Sequence, residues 1–196
     1  AMPIFINYFR ARQFGQTTRE EGPLWHEVKS GTPTMGGVVF VLMAAIVVLG
    51  LAIWWGLLNV TTIMLLFVLL FFALIGFVDD FIIIFKKQNE GLTSKQKFIA
   101  QLVGSAIFVV MYYLGDFSPV IHLPFLGEVQ SWLVFAMFTI LWITGFSNAV
   151  NLTDGLDGLV AGTATISYGA YAYIAYQQQQ QEILLFCLAI IGGLIG

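Results

Sequence analysis

Two adjacent carboxylates, Asp79-Asp80, close one long apolar run of this chain. A second polar insertion, Asn148-Ala149-Val150-Asn151-Leu152-Thr153-Asp154-Gly155-Leu156-Asp157-Gly158, separates two others. Neighbouring carboxylates repel, and they tend to bind a cation or share a proton. Hard oxygen ligands suit Mg²⁺, which usually takes one or two carboxylates together with substrate phosphates. An interfacial anchor marking a helix end explains the acidic pair equally well. In the second insertion Asn148, Asn151, Asp154 and Asp157 recur every third residue. Each step of three falls about 60° short of a helical turn, so four such residues spread over half a helix surface. A helix ending near Asn148, a turn, and a new helix starting near Asp154 fits better than one stripe. Asp and Asn are good N-caps. Gly155 and Gly158 let backbone or ligand approach closely, and a helix start there offers N–H groups to an anion. Ordinary capping accounts for one Asp but not for four polar groups.

Two loops add cations and hydroxyls. Lys29-Ser30-Gly31-Thr32-Pro33-Thr34-Met35-Gly36-Gly37 leads directly into an apolar run. Gly-rich turns with hydroxyls and a cation can hold phosphate through N–H and O–H donors, although the spacing is not that of a Walker A loop. A flexible loop capped by Thr34 explains the stretch about as well. The loop Lys86 to Lys97 carries four lysines, Lys86, Lys87, Lys95 and Lys97. It reads either as a topology determinant or as an attractor for a polyanion or anionic headgroups. Paired carboxylates, a Gly/Thr loop, lysines and an Asn/Asp turn together suit metal-assisted phosphoryl transfer, where positioning and charge neutralisation dominate.

The elements that position these residues are membrane helices. The chain is 59% hydrophobic and only 10% charged, against about 25% charged residues in a soluble domain. Long helical apolar runs argue against a barrel, whose strands are short and alternate. The expected fold is all-α, a polytopic transmembrane bundle in one integral membrane domain over residues 1–196. Five full spans fall near Gly37–Leu58, Val60–Val78, Phe98–Leu114, Trp132–Phe146 and Leu159–Tyr176, with partial spans at both termini. The terminal apolar stretches are shorter than the roughly 20 residues that a span needs, so the chain reads as cut at both ends. Residues 115–131 suggest a small hairpin, with His122 as a surface or packing residue. The single Cys187 reads as a small core or lipid-facing residue.

Span parity places the loops 10–35, 79–97 and 147–158 on one side of the membrane. All eight basic residues (Arg10, Arg12, Arg19, Lys29, Lys86, Lys87, Lys95, Lys97) fall on that side. The positive-inside rule makes it cytoplasmic. Both acidic insertions are therefore expected at one membrane face, looking into the cytoplasm.

Gly31-Thr32-Pro33-Thr34-Met35-Gly36-Gly37, Asp79-Asp80 followed by Gly91-Leu92-Thr93-Ser94-Lys95-Gln96-Lys97, and the stretch Asn148 to Leu159 resemble the motifs of the phospho-N-acetylmuramoyl-pentapeptide transferases. These are polyprenyl-phosphate sugar-1-phosphate transferases. The motifs occur in the right order, and the resemblance covers essentially the whole chain as the front half to two-thirds of a ten-span enzyme. It implies that undecaprenyl phosphate attacks the β-phosphate of UDP-N-acetylmuramoyl-pentapeptide, giving lipid I and UMP with Mg²⁺ as cofactor, in peptidoglycan synthesis. It also implies a bacterial cell membrane as location, the lipid bilayer as surroundings, no nucleic acid partner, and a homodimer as a conceivable assembly.

Residue by residue, the resemblance implies that Asp79 deprotonates or orients the lipid phosphate and that Asp80 lies close to metal and phosphates. Lys29, Thr34, Asn151, Asp154, Gly155, Leu156 and Asp157 match nucleotide-side positions. Lys95 or Lys97 matches a phosphate-contacting lysine. The family often has Lys three residues after the second Asp, where this chain has Ile83. A later metal-ligating Asp loop and a triple-His loop have no counterpart before Gly196, so these residues alone are expected to lack transferase activity. The rival within the class is transfer of N-acetylglucosamine-1-phosphate to the same kind of lipid; Thr32 to Gly37 and Asn151 to Asp157 favour the muramoyl branch. A transporter is the rival from another class. It would place its carboxylates near the bilayer midplane, commonly at broken helices within repeats, whereas here they cluster at one face and no internal repeat is seen. A purely structural membrane protein leaves the clustered carboxylates unexplained.

Overall fold

The computed structural model describes residues 36–86, 91–123, 127–154 and 158–195. Apolar runs without internal Pro fold as α1 (Gly36–Trp54), α2 (Val60–Lys86), α3 (Ser94–Leu114), α4 (Trp132–Thr153), α5 (Leu159–Gln177) and α6 (Gln181–Ile195). Between α3 and α4 lies an antiparallel hairpin of β1 (Val120–Leu123) and β2 (Gly127–Gln130), paired from Val120↔Gln130 to Leu123↔Gly127. The expected all-α bundle and the small hairpin are both present. His122 is exposed and sits 3.2 Å from Glu128 across the hairpin.

Among the described residues, four helices are long and apolar enough to cross a membrane: Gly36–Trp54, Val60–Phe85, Ser94–Leu114 and Trp132–Thr153. The fifth expected span is also a helix, of 19 residues. Its Thr163, Thr165, Ser167 and four tyrosines leave it less apolar than the others. α6 is apolar and shorter, at 15 residues. Side chains such as Leu133, Leu141 and Ile166 are 69–76% exposed. A bundle in lipid leaves such faces to the acyl chains, whereas a soluble domain would bury them.

Helix boundaries follow hydrogen-bonding chemistry more than hydropathy. α1 ends at Trp54, before the expected Leu58, while α2 runs past Val78 to Lys86. At 27 residues, α2 is about 40 Å long, more than the ~30 Å of a hydrocarbon core. Asn59 caps its start, accepting the Thr62 N–H at 3.1 Å. Asp79-Asp80 then falls about 28 Å along the helix axis, where an apolar layer would end. α3 starts at Ser94 because Thr93 and Gln96 form a capping box: the Thr93 hydroxyl accepts the Gln96 N–H, and Gln96 Oε1 accepts the Thr93 N–H at 2.9 Å.

One expectation is corrected. No helix ends near Asn148: α4 continues to Thr153, with Asp154 at its C-terminal end, and the next helix starts at Leu159 behind Gly158. Asn148 and Asn151 are thus helical, and Asp154 does not begin a helix. Local hydrogen bonding explains this. Asn148 Nδ2 donates to the Thr144 carbonyl at 2.9 Å, and Thr153 Oγ1 donates to the Ala149 carbonyl at 2.8 Å. Polar side chains in lipid return to their own helix backbone instead of opening it. Gly158 takes the left-handed φ of +79°, which a side chain would disfavour.

In the core, Ala44 and Val48 of α1 meet Phe186 and Ile190 of α6. The packing order places α1 against α6 and α2, α5 against α6, and α3 between α2 and α4. At the end away from Asp79, Asn59 hydrogen-bonds Glu182. Tyr112, Tyr113, Trp132 and Phe135 cluster there, with Tyr112 and Phe135 stacked at 4.5 Å. An aromatic belt at the interface is expected of membrane helices.

Gly104 lets α3 lie close to α2: a Cβ there would fall 2.5 Å from the Phe71 ring. Gly104→Ala is expected to lower stability by about 1–3 kcal/mol through overpacking. Gly76→Ala, where a Cβ meets nothing within 4 Å, is expected to be neutral or to gain up to about 1 kcal/mol. Thermal unfolding of the two variants in the same detergent reads the difference.

Candidate functional site

The two carboxylates of the pair have separate environments because adjacent helical residues point about 100° apart. Asp79 turns toward α3. Its Oδ1 accepts the Leu92 N–H at 2.7 Å, and its Oδ2 lies 2.7 Å from Lys97 Nζ. Its side chain is 17% exposed and that of Lys97 30%. Gly91 has to be glycine for this wrap, since a Cβ would overlap both the carboxylate and the carbonyl of Asp79. Asp80 is exposed. It has no hydrogen bond or ion pair among the described residues.

Lys97 also starts a polar stripe. Lys97, Gln101 and Ser105 are spaced by four, which puts them on one face of α3. Gln101 is 5% exposed and Ser105 is fully buried. Gln101 and Asn148 pair through their amides: Asn148 Nδ2 donates to Gln101 Oε1 at 2.8 Å, and Gln101 Nε2 reaches back to Asn148 Oδ1 at 3.4 Å. Gln101 Nε2 also donates to Ser147 Oγ at 3.1 Å. Deeper in, Ser105 Oγ donates to the Gln101 carbonyl at 2.7 Å and lies 3.4 Å from Thr144 Oγ1. Buried polar groups in lipid need such partners.

The acidic pair and the Asn/Asp stretch therefore stand at one end of the bundle, as span parity implies, joined through one face of α3. They are joined indirectly: among the described residues no hydrogen bond or ion pair links Asp79 or Asp80 to Asn151 or Asp154. Asn151 and Asp154 are exposed at the last turn and C-terminal end of α4. Lys95 is exposed on the first turn of α3, about 200° round the helix from Lys97, and is not brought to Asp79. Lys29, Thr34, Gly155, Leu156 and Asp157 lie outside the described residues. Sequence reasoning missed Gln101, Ser105, Thr144 and Ser147. The signal was the polar spacing of four in an otherwise apolar helix.

Asp80 is the open carboxylate. Among the described residues no group of three His, Cys, Asp or Glu side chains is placed to hold a metal ion. With Asp79 occupied by Leu92 and Lys97, the described residues offer a divalent cation one open carboxylate. Mg²⁺ usually takes one or two carboxylates and draws its other ligands from phosphates and water.

Two substitutions test the Asp79 wrap. Gly91→Ala is expected to cost about 1–3 kcal/mol, because the overlap is with backbone as well as side chain. Lys97→Met is expected to cost roughly 1 kcal/mol or less, because the pair is partly open to water. Unfolding midpoints in detergent should rank Gly91→Ala below Lys97→Met, with wild type highest.

The chain is similar to known proteins along its whole length. The chain is 49% identical over 195 residues to a phospho-N-acetylmuramoyl-pentapeptide-transferase of Enterococcus faecalis and 50% identical to that of Lactiplantibacillus plantarum. It is 53% identical to the one of Limosilactobacillus fermentum. Each similarity covers 100% of this chain and 60–61% of the relative, so the chain spans about three-fifths of the length of these proteins. Residues 29–41 match the phospho-N-acetylmuramoyl-pentapeptide-transferase signature 1. The model of glycosyl transferase family 4 matches residues 61–196, from the start of α2 through the acidic pair, the α3 stripe and the Asn/Asp stretch, and the chain belongs to that family.

Proposed function

We propose that the protein carrying this chain transfers phospho-N-acetylmuramoyl-pentapeptide from its UDP-activated form to undecaprenyl phosphate, releasing UMP and forming lipid I. A lipid-phosphate oxygen would form a new bond to the β-phosphorus as the bond between that phosphorus and the bridging oxygen to the α-phosphate breaks. The observation that carries this reading is the division of the acidic pair at the membrane edge. One carboxylate holds a lysine and the other is open, with the Asn/Asp stretch of α4 at the same end. The names of the similar proteins support it. All eight basic residues lie on the parity side of this end, which supports a cytoplasm-facing site.

In this reading Asp80 meets the substrate phosphates. Asp80 would hold Mg²⁺, which would supply neutralisation of phosphate charge. Lys97 stands beside Asp79 and within reach of an incoming anion. A phosphate that draws the Lys97 ammonium toward itself frees Asp79 Oδ2 to orient the lipid phosphate or accept its proton. Lys95, on the opposite face of that helix turn, would raise the positive potential at this end without joining the Asp79 pair. Lys29, Thr34, Asn151, Asp154, Gly155, Leu156 and Asp157 would hold the nucleotide side.

The test is UMP release by membranes containing a chain of the relatives' full length, with UDP-N-acetylmuramoyl-pentapeptide, undecaprenyl phosphate and Mg²⁺. Asp80→Asn is expected to lower kcat about 10²–10³-fold, the scale of losing one electrostatic group at a reacting centre. UDP-N-acetylglucosamine in place of the muramoyl substrate is expected to release no UMP. Unaltered turnover by Asp80→Asn, or preference for the N-acetylglucosamine donor, would sink the reading.

A further inference from the structure

We propose that Gln101 is a positioning residue for the transfer, setting the distance between the Asp79-Asp80 end of α2 and the nucleotide-side end of α4. The inference rests on the transferase reading. α3 is the element that touches both polar ends, and it does so on one face. Lys97 holds Asp79 at 2.7 Å, and one turn later Gln101 holds Asn148 at 2.8 Å. Asn148 is a turn before Asn151 on the same rigid helix. Gln101 touches neither the acidic pair nor Asn151 or Asp154, and at 5% exposure it is shielded from any ligand. Its polar atoms are committed to Ser147 and Asn148.

The amide pair specifies a rotation as well as a contact. Asn148 gives its Nδ2 to both Gln101 Oε1 and the Thr144 carbonyl, so the α4 face that meets α3 is fixed about the helix axis. That rotation decides where Asn151 and Asp154 point. Apolar contact between α3 and α4 would hold the helices together without choosing a rotation as sharply. Losing the pair should leave each half-site able to bind its own substrate, while the two halves no longer face each other correctly. Small misplacements of reacting groups cost rate out of proportion to their size.

The expected result in the full-length enzyme is a split in kinetic constants. Gln101→Leu lowers kcat about ten- to a hundredfold and leaves the KM of both the nucleotide and the lipid substrate within about twofold. The exchanged pair Gln101→Asn with Asn148→Gln keeps an amide opposite an amide and moves one methylene across the contact, so it restores most of kcat. A merely structural Gln101 would lower the unfolding temperature without this split. Should Gln101→Leu fail to fold, Gln101→Asn alone keeps polarity, shortens the reach and is expected to give the same fall in kcat. Unchanged kcat, a raised KM as the main effect, or no rescue by the exchanged pair overturns the proposal. Amide hydrogen exchange over residues 149–154 separates this inference from the transferase reading. If the wild-type enzyme releases no UMP, the transferase reading falls. With UMP released by wild type, faster exchange in Gln101→Leu beside the fall in kcat supports the positioning role, and unchanged exchange overturns it. With no UMP released, the positioning role falls with the transferase reading, and faster exchange shows only that the amide pair orders the end of α4.

Discussion

The charge of Asp79 has to be satisfied where α2 leaves an apolar layer, and the end of the bundle is built around that requirement. A carboxylate costs less at this edge than at the bilayer centre, but a largely buried one still needs polar partners. Asp79 has a backbone N–H from Leu92 and an ammonium from Lys97. Each partner constrains the chain. Leu92 can reach the carboxylate only if Gly91 passes against it without a Cβ. Lys97 can reach it only if α3 starts where the Thr93 and Gln96 capping box starts it. A helix beginning one residue later would rotate the Lys97 side chain by about 100°. The path of Gly91 and Leu92, and the register of α3 against α2, thus serve one carboxylate.

The same face of α3 continues the constraint into the membrane. Once Lys97 is set, Gln101 and Ser105 follow at one and two turns and must find partners in lipid. They find them on α4, at Asn148, Ser147 and Thr144. α4 is therefore oriented by polar pairing as well as by packing. Its contact with α5 is slight by comparison, so the α3–α4 pairing has the larger part in placing the Asn/Asp end. Gly104, seven residues after Lys97 and so on nearly the same side of α3, adds to this by letting the Phe71 ring of α2 come close.

Much of this was legible in the sequence, and the parts that were not share a cause. Long apolar runs and proline placement identify the helices. Span parity and the position of Lys29, Lys86, Lys87, Lys95 and Lys97 put both acidic insertions at one end before any contact is known. Hydropathy then misleads at the boundaries. It ends α2 at Val78 and breaks α4 near Asn148, whereas both helices continue. A polar residue near a membrane edge does not stop a helix whose backbone it can still serve, as Asn148 and Thr153 do. Lys97 was legible as a cation near phosphate. Its bond to Asp79 was not, because it depends on how closely Gly91 passes the carboxylate and on where the Thr93 cap starts α3. Gln101 was hidden for a different reason. The spacing of four from Lys97 through Gln101 to Ser105 marks a polar face, but the partner of that face lies on another helix.

How deep the polar stripe runs also bears on what kind of site this is. From Lys97 to Ser105 it extends about 12 Å along α3, and it closes on Thr144 with hydroxyls that bond each other and the backbone. α3 continues to Leu114 as an apolar helix with aromatic residues at its end. Charged at the rim, amide-paired beneath it and closed by hydroxyls at the bottom, the stripe holds three helices in one arrangement. Such a base suits chemistry at the rim between a group delivered from water and one held in the membrane, because both arrive at the same level and neither has to cross.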